Sequence, residues 1–333
     1  MSTPVKTVHM GLGPIGLGIL RMVASKPWST VVGGTDIKPD IVGRDLGVLA
    51  GRDPLGVVAS PGLGAVGPAG TADVVVHCAG SFLRRGVTEQ ILEALDWGAN
   101  VVSTCEELAF PWYRFADEAA RIDAAARMAG KTVIATGINP GFAMDATALY
   151  LSGACERVDA VRVHRQQDAA TRRGPFQRKI GAGITTEEFA AKKATGTFGH
   201  IGLPESIAMI CAGFGWDLER VEETLEPVIA DREIVTEHAH VRPGTVAGIH
   251  QEAHGFVGGT ERVTLVMDAY IGAPDTSDTV TLEGRPTLRN VLSGLHGDIS
   301  TAAMTTNAIG SVVDMPPGLL TMLDAAPVHC RQR

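Results

Sequence analysis

No stretch of the 333-residue chain approaches the roughly 20 uncharged apolar residues that a membrane span requires. A strand pattern begins within the first five residues and leaves no room for a secretory leader, so a cytoplasmic protein is expected. The five cysteines (Cys78, Cys105, Cys155, Cys211 and Cys330) are odd in number, widely spaced and nowhere C-x-x-C. That excludes a disulfide framework and a zinc site and reads as reduced thiols. Charge is acidic, at −8, which argues against a nucleic-acid partner. There is neither G-x-S-x-G nor G-x-x-x-x-G-K-[ST], so a hydrolase elbow and a P-loop are both excluded. His238, His240, His250 and His254 lack tight ligand spacing and alternate as on a sheet surface, so no metal is expected.

What is present is ordinary globular material, 45% hydrophobic and 20% charged, long enough for two domains. The organising stretch is residues 5–36. A short apolar strand runs into Gly11-Leu12-Gly13-Pro14-Ile15-Gly16, which is G-x-G-x-x-G. A helical pattern from Ile15 to Ser25 follows, then a strand from Thr30 to Thr35 that ends in Asp36. Gly11 would make the tight turn, Gly13 would admit a pyrophosphate, and Gly16 would let helix and strand pack closely. Asp36, twenty residues past Gly16, suits a ribose hydroxyl and favours NAD; Lys38 and Arg44 suit a 2′-phosphate instead. The cofactor is therefore read as NAD(H), NADP(H) or both. The bland alternative is a glycine-rich turn in a generic α/β protein, with Lys38 and Arg44 as solvated loop charge.

The βαβ alternation continues to residue 136, as a doubly wound parallel sheet requires. Strands are expected at residues 72–78, 100–104 and 131–136, with helices over Arg84–Gly98 and Pro111–Ala129. Loops after strand carboxyl ends line the ligand crevice of such a sheet. Cys78, Ala79, Gly80, Thr104 and Asn139 thus join Gly11, Gly13, Pro14, Ile15, Gly16, Asp36, Lys38 and Arg44 as the expected cofactor-binding set. His77, inside its strand, reads as a packed residue. Beyond about residue 150 the pattern turns to α+β, with a strand over residues 157–164 and a polar stretch from Arg165 to Gly183. A helix capped by Thr185 and Glu188 follows. Alternating runs at residues 232–242, 246–257, 262–271 and 279–284 suggest a largely antiparallel sheet. The expected domains are 1–146, a dinucleotide-binding Rossmann domain, and 147–299, a substrate-binding and dimerisation domain.

Hydride transfer needs an acceptor site, and two loops offer one. Glu106 and Glu107 follow a buried strand, and a carboxylate there can serve as general acid or base. Adjacent residues point differently, so one is expected to face the crevice. The competing reading has both capping the next helix. The second loop, Asn139-Pro140-Gly141-Phe142, could wall the crevice or simply start a helix with Pro140 at its first position. Phe142, Met144, Arg165, Gln166 and His200 complete the expected substrate pocket, against the alternative of a solvated charged loop.

Several motifs together resemble one family: Gly-Leu-Gly-Pro-Ile-Gly at Gly11, Ser-Thr-Cys-Glu-Glu-Leu-Ala-Phe-Pro at Ser103, and Thr-Gly-Ile-Asn-Pro-Gly-Phe-Ala-Met-Asp at Thr136. Arg-Arg-Gly-Pro-Phe-Gln-Arg-Lys at Arg172, Gly-His-Ile-Gly-Leu-Pro-Glu-Ser at Gly199, Asn-Ala-Ile-Gly at Asn307 and Pro-Gly-Leu-Leu-Thr-Met at Pro317 continue it. The chain resembles the 2,4-diaminopentanoate dehydrogenases and native amine dehydrogenases of the dihydrodipicolinate-reductase-like fold group. The resemblance implies reductive amination of a ketone or aldehyde with ammonia, run in reverse as oxidative deamination. It implies that the catalytic carboxylate belongs to the pair Glu106 and Glu107, of which Glu106 is preferred, that the protein is a homodimer built through the second sheet, and that residues 300–333 return to the nucleotide domain. The His-His-x-x-Lys stretch of true dihydrodipicolinate reductases is missing, so a cyclic imine dicarboxylate is not expected. Open alternatives are a 2,4-diaminopentanoate-type amino acid substrate, a semialdehyde or alcohol dehydrogenase, and a non-catalytic dinucleotide sensor.

Overall fold

The computed structural model describes residues 3–332. By internal contacts the chain divides into two compact units, Met1–Gly141 with Asp298–Arg333, and Phe142–Gly297. The first begins with β1 (Val5–Met10), α1 (Pro14–Val23) and β2 (Ser29–Thr35). Next come α2 (Leu46–Leu49), β3 (Ala59–Ser60), α3 (Leu63–Val66) and β4 (Val74–His77). Its last elements before the chain leaves are α4 (Val87–Asp96), β5 (Asn100–Ser103), α5 (Ala116–Ala129) and β6 (Thr132–Ala135). The second unit opens with α6 (Ala146–Ser152), β7 (Arg157–Asp168), α7 (Gly174–Lys179), α8 (Thr186–Lys193) and α9 (Leu203–Phe214). Then follow β8 (Arg220–Ile229), the short pair β9 (Ile234–Val235) and β10 (His240–Val241), and β11 (Val246–Val257). β12 (Thr260–Tyr270), β13 (Ser277–Arg285) and β14 (Leu288–Ser293) close it, before α10 (Gly297–Val312) and β15 (Gly318–Leu320).

The first unit is an α/β fold around a seven-stranded parallel sheet, in the order β15-β6-β5-β4-β1-β2-β3. Its central strands are apolar on both faces because helices cover both. Val74, Val75, Val76, Val101, Val102 and Val133 are fully buried. α4 presents Val87, Ile91 and Leu95 at four-residue spacing to this core, and α5 presents Ala119, Ile122 and Ala126. Each such large side chain contributes about 1.5–3 kcal/mol on burial.

Several boundaries differ from the sequence reading. The helix expected from Arg84 starts only at Val87, because Gly86 takes a left-handed φ of 101° and ends a preceding 3-10 turn. The helix expected from Pro111 is broken at Phe115, whose φ of −133° and ψ of 45° are not helical. That ring packs against the core with the guanidinium groups of Arg84 and Arg114 over it. β15 was not expected; it adds to the sheet edge beside β6.

The second unit holds a six-stranded mixed sheet, β14-β13-β7-β12-β11-β8, in which β7 and β12 run parallel and all other pairs antiparallel. β8 and β14 escaped the sequence reading, and the 232–242 run forms a separate two-stranded hairpin. β7 is the larger correction. It runs four residues past His164, so the first part of the supposed polar loop is strand. α9 and α6 pack on the sheet's buried face. α8 carries the expected capping box: Glu188 N donates to Thr185 Oγ1 at 3.2 Å, and Thr185 N to Glu188 Oε2 at 2.8 Å.

Candidate active site

Five loops leave the carboxyl ends of adjacent parallel strands in the first unit, after β1, β2, β4, β5 and β6. The glycine turn follows β1. Gly11 has a φ of 91°, and a Cβ there would lie 2.7 Å from the Cys78 carbonyl carbon. A Cβ on Gly16 would lie 1.9 Å from the Gly11 carbonyl oxygen, so strand and helix approach as closely as glycine permits. At Gly13 a Cβ would meet nothing within 4 Å. That open side lies at the start of α1, whose first turn has Pro14, no side-chain cap and no acidic residue. Its positive end is thus uncompensated from within, as an anion site requires. Ile15 is half-buried on the helix and Gly16 buried.

Asp36 ties this turn to the loop after β2. Its Oδ2 accepts from Leu12 N at 2.8 Å and its Oδ1 from Lys38 N at 2.9 Å. Lys38 and Arg44 are exposed, and among the described residues neither makes an ion pair. The loop after β4 begins with Cys78, whose N donates to Met10 O at 2.7 Å, and continues through exposed Ala79 and half-buried Gly80. Burial pushes the Cys78 thiol up to about 12, so it stays protonated.

The loop after β5 separates the two glutamates. Thr104, half-buried, donates its N–H to His77 O at 3.0 Å. Cys105 N donates to Ser103 Oγ at 3.0 Å, and Glu106–Leu108 form a 3-10 turn. Glu107 turns inward: it is 7% exposed, and its Oε2 accepts from Leu83 N at 2.7 Å. Burial raises its pKa, opposed by the Leu83 N–H and the charge of Arg114. Glu107 therefore clamps this loop to the neighbouring one. Glu106 keeps a partly exposed position in the same turn.

The loop after β6 is not a helix start. Asn139-Pro140 is a cis peptide, and α6 begins only at Ala146, capped by Asp145. Gly141, with a φ of 125°, folds back so that a Cβ would lie 2.5 Å from Gly137 N. Asn139 and Pro140 belong to the first unit; Phe142, half-buried, and Met144, fully buried, belong to the second.

The other expected pocket residues fall in the second unit and do not form one surface. Arg165 and Gln166 are neighbours on β7, so their side chains leave opposite faces. Gln166 donates to Pro274 O at 2.9 Å and tethers a loop on the open face. Arg165 is 1% exposed and pairs with Asp278 of β13, Nη1 to Oδ1, at 2.5 Å. Arg165 Nη2 and Asp278 Oδ2 are buried without hydrogen-bond partners. The same buried side continues with Gln167, whose Oε1 accepts from Arg172 Nη1 at 2.7 Å; the Arg172 guanidinium lies 3.9 Å from the Phe176 ring centroid. Asp278 went unnoticed in the sequence although its signal was there. It shares a register with Val280 and Leu282, an acid in an apolar row. His200 precedes α9, with Gln251 bonded to its N–H at 2.9 Å and its C=O at 3.0 Å. Burial, then the charges of Lys179, Arg165 and Arg172, push its imidazole well below the ordinary value. These cations thus surround a neutral histidine. A cavity of about 170 Å³ in this unit is lined by Gln167, Asp168, Arg172, Thr276 and His296 among others.

His250 and His254 stand on the open sheet face, in a row that alternates imidazoles and carboxylates. His164–Asp268 (2.6 Å), Asp268–His250 (2.7 Å), His250–Glu252 (3.0 Å), Glu252–His254 (3.2 Å) and His254–Glu261 (3.4 Å) form it. Among the described residues, no group of three or more His, Cys, Asp or Glu side chains is gathered to hold a metal. Nor is any helix there long and apolar enough to cross a membrane.

A parallel sheet with a glycine turn at its first strand, joined to a unit with its own mixed sheet, is the architecture of two-domain dehydrogenases. Residues 142–331 match the model of the 2,4-diaminopentanoate dehydrogenase C-terminal domain. The chain is 32% identical to a 2,4-diaminopentanoate dehydrogenase of Acetoanaerobium sticklandii, over 96% of this chain and 93% of that one. It is 27% identical to an amine dehydrogenase of Streptomyces virginiae, over 96% of each. The solved structure of an amine dehydrogenase from Mycobacterium smegmatis superposes with a TM-score of 0.88 at 24% identity, covering 99% of this chain and 98% of that one. The chain belongs to the 2,4-diaminopentanoate dehydrogenase family, and it is an oxidoreductase.

Proposed function

We propose that the protein is an NAD(P)-dependent amine dehydrogenase that joins ammonia to a ketone or aldehyde and reduces the product to a primary amine, with Glu106 as its acid–base group. The single observation that carries this reading is the difference in burial within the turn after β5. Glu107 is buried with its carboxylate against the Leu83 N–H, while Glu106 is partly exposed on the same turn. The dinucleotide would rest on Gly11, Gly13 and the start of α1, with Asp36 toward the ribose. When bound, that cofactor supplies a hydride. Exposed Lys38 and Arg44 beside Asp36 favour acceptance of a 2′-phosphate as well, hence use of both NAD and NADP.

The chain's own part is proton management. The Glu106 carboxylate holds ammonium and takes its proton, freeing the nitrogen lone pair to attack the carbonyl carbon. The same oxygen returns the proton to the carbinolamine hydroxyl, which leaves as water and yields the iminium that hydride reduces. The balance is ketone, ammonia, reduced cofactor and one proton to amine, oxidised cofactor and water. Mixing carbonyl compound, ammonia and reduced cofactor should oxidise the cofactor. Ammonia-independent turnover would point to an alcohol or semialdehyde dehydrogenase, and binding without turnover to a sensor.

One observation favours an amino acid substrate over a plain alkyl amine. With Arg165 already paired to Asp278, Arg172 and Lys179 add positive charge near His200. A carboxylate, as in 2,4-diaminopentanoate, answers that charge. A kcat/KM for 2,4-diaminopentanoate at least about tenfold above that for an uncharged amine, 1.4 kcal/mol, is expected on this reading; parity removes it.

A further inference from the structure

His77 ends β4 and is fully buried among valines, where an imidazole gives up its hydration. Both ring nitrogens are held. Nε2 lies 2.9 Å from Gln90 Oε1 on α4, and Nδ1 lies 3.0 Å from Ser103 Oγ at the end of β5. Gln90 Oε1 only accepts, so Nε2 carries the proton. Burial keeps the ring neutral, so Nδ1 is bare and accepts. Its donor is the single Ser103 hydroxyl hydrogen. Ser103 Oγ is thereby left to accept, and it does so from Cys105 N–H at 3.0 Å. Every hydrogen in the chain is assigned: Cys105 N–H to Ser103, Ser103 O–H to His77, His77 Nε2–H to Gln90.

That chain ends on the residue immediately before the Glu106–Leu108 turn. The backbone repeats the tie, with Thr104 N donating to His77 O at 3.0 Å. On the other side of Glu106, Glu107 anchors to Leu83 N. The carboxylate assigned to catalysis therefore sits between two fixed points, one of them set by a histidine that touches no substrate.

We propose that His77 is a positioning residue for Glu106, orienting through the Ser103 hydroxyl the turn that carries the carboxylate. This rests on the assignment of Glu106 above. Two substitutions separate positioning from packing. His77→Asn keeps a polar group at the position of Nδ1, within reach of Ser103, and leaves Gln90 unpaired. His77→Gln reaches Gln90 and leaves Ser103 unpaired. Each deletes the imidazole and one hydrogen bond from the same buried spot.

The measurements are kcat, its pH profile, cofactor dissociation constant and melting temperature for both variants, with Ser103→Ala, Ser103→Thr and Glu106→Gln alongside. A loose carboxylate costs about 10- to 100-fold in kcat. The expectation is that loss in His77→Gln and Ser103→Ala, with shifted pH profiles and unchanged cofactor affinity. His77→Asn and Ser103→Thr should stay near wild type. Equal kcat in the two His77 variants at equal melting temperature overturns the proposal. Should either fail to fold, the Ser103 pair decides alone: equal kcat for Ala and Thr overturns it. Wild-type kcat in Glu106→Gln removes the functional reading and this inference with it, whereas loss there with indifferent His77 and Ser103 variants removes only the inference.

Discussion

The two sheets handle polar groups in opposite ways. In the first unit the strand interiors are mostly apolar, buried polar side chains such as His77 and Ser103 sit at carboxyl ends, and the proposed chemistry stands on the loops beyond them. In the second, polar groups occupy the strands themselves: Arg165, Gln167 and Asp278 on the buried face, and a row of histidines and carboxylates on the open one. A loop residue such as Glu106 can move or be replaced without disturbing the core beneath it. A strand residue such as Arg165 cannot, because its charge is balanced inside the fold. The first sheet thus keeps its proposed acid–base group off the strands, whereas the second builds its charges into them.

The sharpest break of that contrast is at Arg165. Removing one partner of a buried ion pair strands the other, so Arg165→Met should cost about 3–5 kcal/mol in chemical denaturation. Arg165→Met combined with Asp278→Leu should recover most of that loss, because no buried charge is then left alone. A single-variant cost below about 1 kcal/mol would mean that the pair is hydrated rather than buried.

Glu106→Gln is the counterpart in the first unit. It should lower kcat about 10²-fold or more and leave stability and cofactor affinity in place. Glu107→Gln should do the reverse, losing about 1–3 kcal/mol of stability through the weakened Leu83 clamp. Opposite results in kinetics and thermal melts would exchange their roles.

The glycine turn predicts a smaller split. Gly16→Ala collides with the Gly11 carbonyl and should weaken folding and cofactor binding together. Gly13→Ala meets open space and should fold normally. If phosphates approach there, calorimetry should give it a cofactor dissociation constant about tenfold higher, 1.4 kcal/mol. Unchanged affinity would move the phosphates elsewhere.

The smallest effect concerns the open face of the second sheet. Burial disfavours the charged His250 ring, but Asp268 and Glu252 outweigh it and raise the pKa above 6.5. Its stabilisation is therefore present below pH 6.5 and fades as pH rises through the raised value. For Asp268 burial works upward, and His164 and His250 outweigh it to hold the carboxyl below 3.8. Its stabilisation is present above that ordinary value and fades as pH falls. His250→Gln should flatten the decline of the melting temperature above pH 6.5, by no more than about 1 kcal/mol for so solvated a row. An unchanged slope would assign the decline to other groups.

Much of this was legible in the sequence, for identifiable reasons. The parallel sheet announced itself because its strands are apolar and its turns carry glycine, and the motif from Gly11 to Asp36 needed only local geometry. The second sheet was harder. The pattern of β7 was lost after His164 because its inward residues turn from valine to arginine and glutamine. Reading Arg165 as a loop residue followed from that, since a charged residue in a strand core makes sense only with its partner, Asp278, 113 residues away. Glu106 was preferred over Glu107 in the sequence only through the family resemblance; that Glu107 is held by the Leu83 N–H is a contact no spacing rule reveals. His77 looked like packing because its partners, Gln90 and Ser103, are brought to it by a helix and a neighbouring strand.

The central claim is that ammonia is a substrate and Glu106 manages its protons. The direct measurement is the rate of reduced-cofactor oxidation against ammonia concentration, at a fixed saturating carbonyl compound, for wild type and Glu106→Gln. Wild type should show no turnover without ammonia and saturation as it rises, with the variant at least about 10²-fold slower at every concentration. Oxidation that proceeds unchanged without ammonia, or a variant as fast as wild type, would contradict the account.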